Sequence, residues 1–177
     1  IPPSLKTNLS AWLNAIQTPS GASDYTVYSS WPNLLKTGNL LTEQSFVGDP
    51  VSAPRVQSAV NYIQNTWNNP APDPGWRPRH YQSMYCLMKG LVSFGIDTLT
   101  VGGNPVDWYA EFAEAIVTSQ NSDGSWPADT WGDPLLTTPW ALMVLEKVAP
   151  PPPTDVVLTL PECACDQAGY IVTADYT

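Results

Sequence analysis

Two loop segments of this sequence combine aromatic, acidic and basic residues of the kind that contact sugars. Indole and phenol rings can stack on the CH faces of a sugar ring, while nearby carboxylates bond to its hydroxyl groups. The candidate ligand-binding residues are Trp131, Asp129, Asp133, Arg77, Arg79 and Tyr81. One interpretation is therefore a site that binds or degrades a polysaccharide. The other interpretation is that these rings belong to the protein core.

Other site chemistries lack the residues that they need. The only histidine is His80, and on a helix Cys86 would point in a very different direction because six residues turn the chain by about 600°. Zinc requires three or four converging ligands, so we expect no metal and no cofactor. We interpret Cys86 as a small core residue and His80 as a solvated side chain. A nucleophile elbow and a phosphate loop are absent from the sequence.

Composition narrows the class of protein further. The chain has 177 residues, a formal charge of −9, 43% apolar residues and 13% charged residues. Such a chain can bury a core, but it lacks the clustered Lys and Arg of a nucleic-acid binder. No apolar run approaches the roughly 18 residues of a membrane span. The expected partner is therefore a glycan or another protein, with no nucleic acid and no membrane span.

A proline run divides the chain into unequal parts. Residues 1–149 form a helical repeat domain in this interpretation, residues 150–154 are a stiff linker, and residues 155–177 begin a β-sandwich-like module. An ordered hairpin packed on the first domain is the alternative for the last part. The start at Ile1-Pro2-Pro3 and the odd cysteine count suggest a piece of an exported, multidomain protein that is extracellular or on a cell surface.

Apolar residues recur with helical spacing in most of residues 1–149. This spacing predicts one helix after Ser4, one opened by Ser52 and Pro54, and one through residues 81–92. Asn104-Pro105 and Thr138-Pro139 are expected to open two more helices. Pro32 interrupts residues 25–45, where only short helical pieces around Leu34-Leu35 are expected.

A glutamine followed by a glycine turn recurs about every fifty residues. The repeated positions are Gln17 and Gly21, then Gln64, Gly75 and Trp76, and then Gln120, Gly124 and Trp126. A helical hairpin of this size cannot bury its apolar face alone, so the hairpins must stack. The glutamine amide is expected to bond to free backbone groups at a helix end, and the tryptophan to pack over the joint.

The last copy, Gln120-x-x-x-Gly124-x-Trp126, resembles the QW motif of squalene and terpene cyclases, whose repeat family includes protein prenyltransferases. The resemblance is best over residues 107–148 and implies an all-α fold. Three hairpins would make a partial α/α toroid, followed by the short β-rich C-terminal segment. Two copies could close the ring as a homodimer. The usual basic residue upstream of the motif is replaced by Asp107 and Trp108.

The catalytic residues of that family do not carry over to this sequence. The acid motif of class II cyclases would fall at residues 134–137, which contain no acid, and Asp133 stands alone. The zinc ligands of prenyltransferases and the thioester segment of complement-type domains are also missing. The first expectation is thus a non-catalytic, exported scaffold or recognition module. The alternatives are a polysaccharide-binding or polysaccharide-degrading toroid and a terpenoid or lipid binder.

Overall fold

The computed structural model describes residues 2–27, 30–69, 74–129 and 132–147. These residues are mostly helical, in agreement with the sequence, but they also form a small antiparallel sheet that departs from the all-α expectation. The helices are α1 Pro3–Ile16, α2 Leu34–Val47, α3 Pro54–Thr66, α4 Tyr81–Ser93, α5 Trp108–Val117 and α6 Pro134–Leu145. The strands are β1 Thr98–Val101 and β2 Asn104–Asp107. The expected linker at 150–154 and the β-rich segment at 155–177 lie outside the described residues.

The even-numbered helices form one continuous layer. Helix α2 packs most extensively against α4, and α4 packs in turn against α6. Helices α1 and α3 contact α2, while α5 contacts both α4 and α6. This alternation of layer helices and flanking helices is the packing expected of stacked helical hairpins.

The contact between α2 and α4 depends on two glycines. A Cβ atom at Gly38 would lie 2.6 Å from backbone atoms of Cys86 and Leu87. A Cβ atom at Gly90 would lie 2.5 Å from the carbonyl oxygen of Gly38. The two helices therefore approach so closely that backbone touches backbone, which only glycine permits.

The first and last copies of the repeat form the same turn. Gln17 Nε2 donates to the Gly21 carbonyl at 3.1 Å, and Gln120 Nε2 donates to the Gly124 carbonyl at 3.0 Å. Gly21 and Gly124 have φ values of 92° and 85°, in the left-handed region that favours glycine. In both copies the glutamine amide thus braces its own turn. The expected contact with a helix end is present in the first copy, where Gln17 Nε2 also donates to the Arg55 carbonyl in the first turn of α3 at 2.8 Å.

The residue two positions after each turn glycine is tied to the next layer helix. The Ser23 amide donates to Thr37 Oγ1 and the Trp126 amide donates to Thr138 Oγ1, both at 3.1 Å. In the middle copy Gln64 behaves differently, because its Oε1 accepts from the Thr100 amide on β1 at 2.6 Å. The hydrogen bonds of the repeat are therefore shared by the first and last copies only.

Tryptophan and phenylalanine side chains fill the space between the flanking helices and the loops. Phe112 is surrounded by Trp67, Trp76 and Trp108. The centroids of their rings lie 5.0 to 5.7 Å from the centroid of the Phe112 ring. The buried Trp126 indole donates to the Ile116 carbonyl at 2.7 Å, which satisfies a backbone group in the last turn of α5. The interpretation of Trp76 and Trp126 as core residues is confirmed.

The start of α1 differs slightly from the sequence prediction, because Ser4 lies inside this helix, and the starts of α2, α5 and α6 differ more strongly. Pro32 precedes the N-cap Asn33, so the expected short pieces are one long helix, α2. Asn104 and Pro105 lie in β2, and α5 begins later with Asp107 as its N-cap. Helix α6 also begins earlier than expected.

The early start of α6 places a proline inside the helix. Asp133 caps α6, Pro134 takes its first position and Pro139 lies inside it. Thr138 was expected to cap this helix, but its hydroxyl accepts from the Trp126 amide instead. A long-range contact therefore replaces the local capping role.

Candidate functional site

The candidate site is a cavity of about 270 Å³ at the ends of two loops. We call it the arginine pocket. It is lined by Gly75, Arg77, Pro78, Arg79, His80, Ala128 and Asp129. One loop leads into α4 and the other precedes α6. The sequence pointed to both loops, and three of its candidate residues, Arg77, Arg79 and Asp129, line this one cavity.

The two arginines are held differently. Arg77 Nη2 donates to Glu111 Oε2 at 2.8 Å, and its guanidinium stacks on the Trp76 ring at 4.0 Å. The Trp67 indole donates to the same Glu111 oxygen at 2.7 Å. Arg77 still exposes 42% of its side chain. Arg79 is exposed and forms no ion pair within the described part of the chain.

His80 is buried beneath the arginines, so the expectation of a solvated histidine is wrong. Its Nδ1 accepts from the Ser83 amide at 3.3 Å and thereby caps α4. The same nitrogen lies 3.8 Å from Asp129 Oδ2. Capping a helix N-terminus requires a local acceptor, and His80 supplies it from inside the protein.

Asp129 joins the two loops of the pocket. Its Oδ2 accepts from the Tyr81 amide at 3.0 Å, and its Oδ1 accepts from the Gly132 amide at 2.7 Å. The first of these bonds places the carboxylate at the N-terminus of α4, where a negative charge is favourable. Asp129 therefore positions the pocket rather than presenting free oxygens to a ligand.

Two other candidates from the sequence, Tyr81 and Asp133, do not line the pocket. Tyr81 is fully buried, and its hydroxyl is 2.9 Å from Ser119 Oγ. Asp133 accepts from the amides of Leu135 and Leu136 as the N-cap of α6. Trp131 lies outside the described residues. The geometry thus gives Tyr81 and Asp133 structural roles.

A second cavity, of about 210 Å³, lies between α1, α2 and the loop that joins them, and it was not predicted from the sequence. Its lining includes Trp12, Tyr25, Lys36, Asn39 and Glu43. One signal was present in the sequence: Lys36 follows two leucines at the start of an apolar segment, where a charge needs a partner. The partner lies twelve residues earlier, and sequence spacing did not reveal it.

That partner is Asp24, which forms a buried ion pair with Lys36. Lys36 Nζ lies 3.0 Å from Asp24 Oδ1, and the two side chains expose only 4% and 3% of their surfaces. The ammonium also donates to the Trp31 carbonyl and lies over the Tyr25 ring, 4.2 Å from its centroid. Buried charges persist when they are paired and hydrogen-bonded in this way.

Cys86 is buried on α4, which confirms its interpretation as a core residue. Burial raises the pKa of the Cys86 thiol to about 11, while Lys89 and a hydrogen bond with Asn39 oppose part of the shift. The protonated thiol is thus favoured in the folded state. Its contribution to stability is present below pH 9 and is lost as the pH rises towards 11.

We predict that the stability of the wild-type chain falls more steeply in alkali than that of Cys86→Ala. Between pH 8 and pH 11 the free energy of unfolding of the wild type should fall by about 2 kcal/mol more than that of Cys86→Ala, because the unfolded chain releases the thiol proton first. Urea unfolding of both proteins across this range measures it, and the other titrating groups cancel in the comparison. Parallel stability curves would show that the thiol is not shielded by the fold.

The described residues contain neither a metal-binding cluster nor a membrane-spanning helix. Within residues 2–27, 30–69, 74–129 and 132–147, no three His, Cys, Asp or Glu side chains are grouped to hold a metal ion. None of the helices in this part of the chain has the length and apolar character needed to cross a bilayer.

Comparisons of the chain with protein-family models, with curated proteins and with solved structures find no significant match. The arginine pocket and the cavity between α1 and α2 therefore provide the structural basis for a functional proposal.

Proposed function

We propose that this chain is a non-catalytic recognition module that binds an acidic polysaccharide at the arginine pocket. The observation that carries the proposal is the pair of exposed guanidinium groups at the mouth of this cavity. The whole chain contains only seven Lys and Arg residues against sixteen Asp and Glu residues. Two of these few basic residues lie in one short loop, where Arg77 is paired with Glu111 and Arg79 forms no ion pair in the described residues.

The chemistry of the guanidinium group favours a carboxylate or sulfate on the sugar. Its planar donors match two oxygens at once, and such charge-assisted hydrogen bonds are stronger than neutral ones. Arg79 is available for this contact, and Arg77 is oriented by Glu111 and Trp76. A nucleic acid is a poorer fit because its phosphates require a larger basic surface.

The acid and base groups of the pocket favour binding over catalysis. A general acid or base must be within hydrogen-bond reach of a substrate proton and available to exchange it. His80 Nδ1 caps α4, and both oxygens of Asp129 accept from backbone amides. These contacts support a role for both residues in holding the loops.

The proposal includes an arc of the α/α-toroid type. It is supported by the layer of α2, α4 and α6 and by the turn that recurs at Gln17 and Gln120. Within the described residues α6 is the last helix of the layer, and its Leu135, Leu136 and Leu142 are exposed. A homodimer that continues the ring at this helix, and a position in a multidomain surface protein, remain predictions.

The proposal predicts that Arg79→Gln weakens the binding of an acidic oligosaccharide about tenfold, the loss expected for one charge-assisted contact. The measurement is isothermal titration calorimetry of the full chain with oligogalacturonate and with a neutral hexose oligomer of equal length. Arg79 makes no ion pair in the described residues, so this change should leave the fold intact.

Lys6→Gln on α1 is the matched control, because it removes one positive charge away from the pocket. It should leave the affinity for oligogalacturonate unchanged. If Arg79→Gln and Lys6→Gln weaken the binding of oligogalacturonate equally, the sugar is attracted by dispersed positive charge and not by the arginine pocket. Failure of the wild-type chain to bind oligogalacturonate and a sulfated oligosaccharide would refute the proposed function.

A further inference from the structure

The second cavity presents two exposed aromatic rings to solvent. Trp12 on α1 exposes 45% of its surface and Tyr25 in the following loop exposes 55%, and both line the same cavity. Large aromatic rings are normally buried because they account for much of the apolar area of a core. Two half-exposed rings around one cavity therefore form a surface suited to stacking.

The floor of this cavity is polar. Lys36 has three N–H donors, of which one bonds to Asp24 and one to the Trp31 carbonyl. The third N–H has no hydrogen-bond acceptor in the described residues, and the ammonium lies over the rings of Tyr25 and Trp31, 4.2 and 4.7 Å from their centroids. Lys36 lines the cavity although only 4% of its side chain is exposed. Glu43 forms no hydrogen bond within the described residues, and Asn39 lies beside it in the lining.

The electrostatics of Glu43 agree with this geometry. Burial raises the pKa of the Glu43 carboxyl above its ordinary value, and the nearby Lys89 opposes part of that shift. A carboxyl that has lost hydration gains from any donor that reaches it. The cavity thus combines an acceptor on Glu43 and the ammonium of Lys36 with two exposed aromatic rings in one lining.

We infer that the cavity lined by Trp12, Tyr25, Lys36, Asn39 and Glu43 binds one neutral pyranose ring. The apolar CH face of the sugar lies against the exposed rings, and its hydroxyls accept from Lys36 and donate to Glu43. Hydroxyl groups suit this pair because each can both donate and accept. The cavity of about 210 Å³ holds a single ring.

A docked apolar segment of another protein suits this cavity less well. It would remove the lining charges from water without supplying hydrogen bonds, which is costly. A cationic ligand is also disfavoured, because the ammonium of Lys36 would repel it. The inference does not rest on the proposed function, because the arginine pocket is a separate cavity with its own lining residues.

The test is titration of the full chain with cellotetraose, maltotetraose and mannotetraose, followed by ¹H–¹⁵N spectra of the tryptophan indoles. We expect at least one of these neutral sugars to shift the Trp12 indole signal. Trp12→Ala should weaken the binding about tenfold, the effect of losing one stacked ring. Glu43→Gln should weaken it several-fold while the fold is kept.

Leu5→Ala is the matched control, since Leu5 is an exposed apolar residue on the same helix but outside the cavity. It should bind the sugar as the wild type does. Arg79→Gln should also leave neutral-sugar binding unchanged, so the two sites are distinguished. The inference is overturned if no neutral tetrasaccharide binds, or if Trp12→Ala binds as tightly as Leu5→Ala.

Discussion

Replacing Gly38 by alanine is expected to lower the free energy of unfolding by about 3 kcal/mol. The added methyl group would meet backbone atoms of Cys86 and Leu87 at 2.6 Å, in the middle of the contact between α2 and α4. Backbone atoms cannot rotate away as the end of a side chain can. The helices must therefore separate, and the core between them loses contacts.

Helix propensity predicts the opposite sign for this substitution. Alanine in a helix interior is about 1 kcal/mol more favourable than glycine. Gly38 lies within α2, so a loosely packed crossing would make Gly38→Ala stabilising. The sign of the measured change thus decides whether α2 and α4 touch through their backbones.

The measurement is urea unfolding followed by circular dichroism. Gly90→Ala should show a similar loss, because its Cβ would lie 2.5 Å from the Gly38 carbonyl oxygen. Gln82→Ala on α4 also introduces alanine into a helix but at a partly exposed position, and it should change stability by less than about 0.5 kcal/mol. A stabilising effect of both glycine substitutions would contradict the described packing.

The spacing of apolar residues was sufficient to predict the helices that have a regular apolar face. The residues that predicted the first helix lie in α1, and those of the next two predicted helices lie in α3 and α4. The burial of Trp76 and Trp126 was also predictable, since an indole after a glycine turn packs over the joint between helices. These features depend on neighbours close in sequence.

The boundaries that differed depend on contacts between distant segments. Thr138 resembles a helix cap in sequence, but its hydroxyl accepts from the amide of Trp126 in the preceding turn. Asn104 and Pro105 also resemble a helix start, yet they pair with Thr100 and Val101 in the sheet. Tertiary contacts therefore outweighed local propensity at these positions.

Only part of the candidate site could be predicted from the sequence, because some of its contacts join distant residues. Charged and aromatic residues in loops indicated the surroundings of Arg77 and Arg79. The burial of His80 was not indicated, because it depends on Asp129 from a loop 49 residues later. The cavity beside Trp12 was missed because its charges, Lys36 and Asp24, meet only in the folded chain.

Replacing Lys36 by methionine is the second substitution with a large expected effect. Methionine keeps most of the side-chain volume but removes the ammonium, so the carboxylate of Asp24 stays buried without its charged partner. Removal of one member of a buried ion pair costs about 3 to 5 kcal/mol. We expect a loss near the lower end, because Asp24 still accepts from the amides of Tyr25 and Trp31.

Lys89→Met on α4 is the control for this substitution. Lys89 is half-buried, lies over the Tyr85 ring and donates to Asn39 at 3.4 Å, but it forms no close carboxylate pair in the described residues. Its replacement should cost less than about 1 kcal/mol. Similar losses for both variants would mean that the Lys36–Asp24 pair carries no special energy.

The double variant Lys36→Met/Asp24→Asn separates the buried charge from the packing of the two side chains. The neutral amide removes the unpaired charge, so part of the lost stability should return. The recovery should be incomplete, because the introduced side-chain amide is a weaker acceptor for the Trp31 N–H, from which the Asp24 carboxylate accepts at 2.6 Å. Urea unfolding of the wild type, both single variants and the double variant gives the coupling energy between the two sites. A coupling energy near zero would show that the ammonium and the carboxylate act independently.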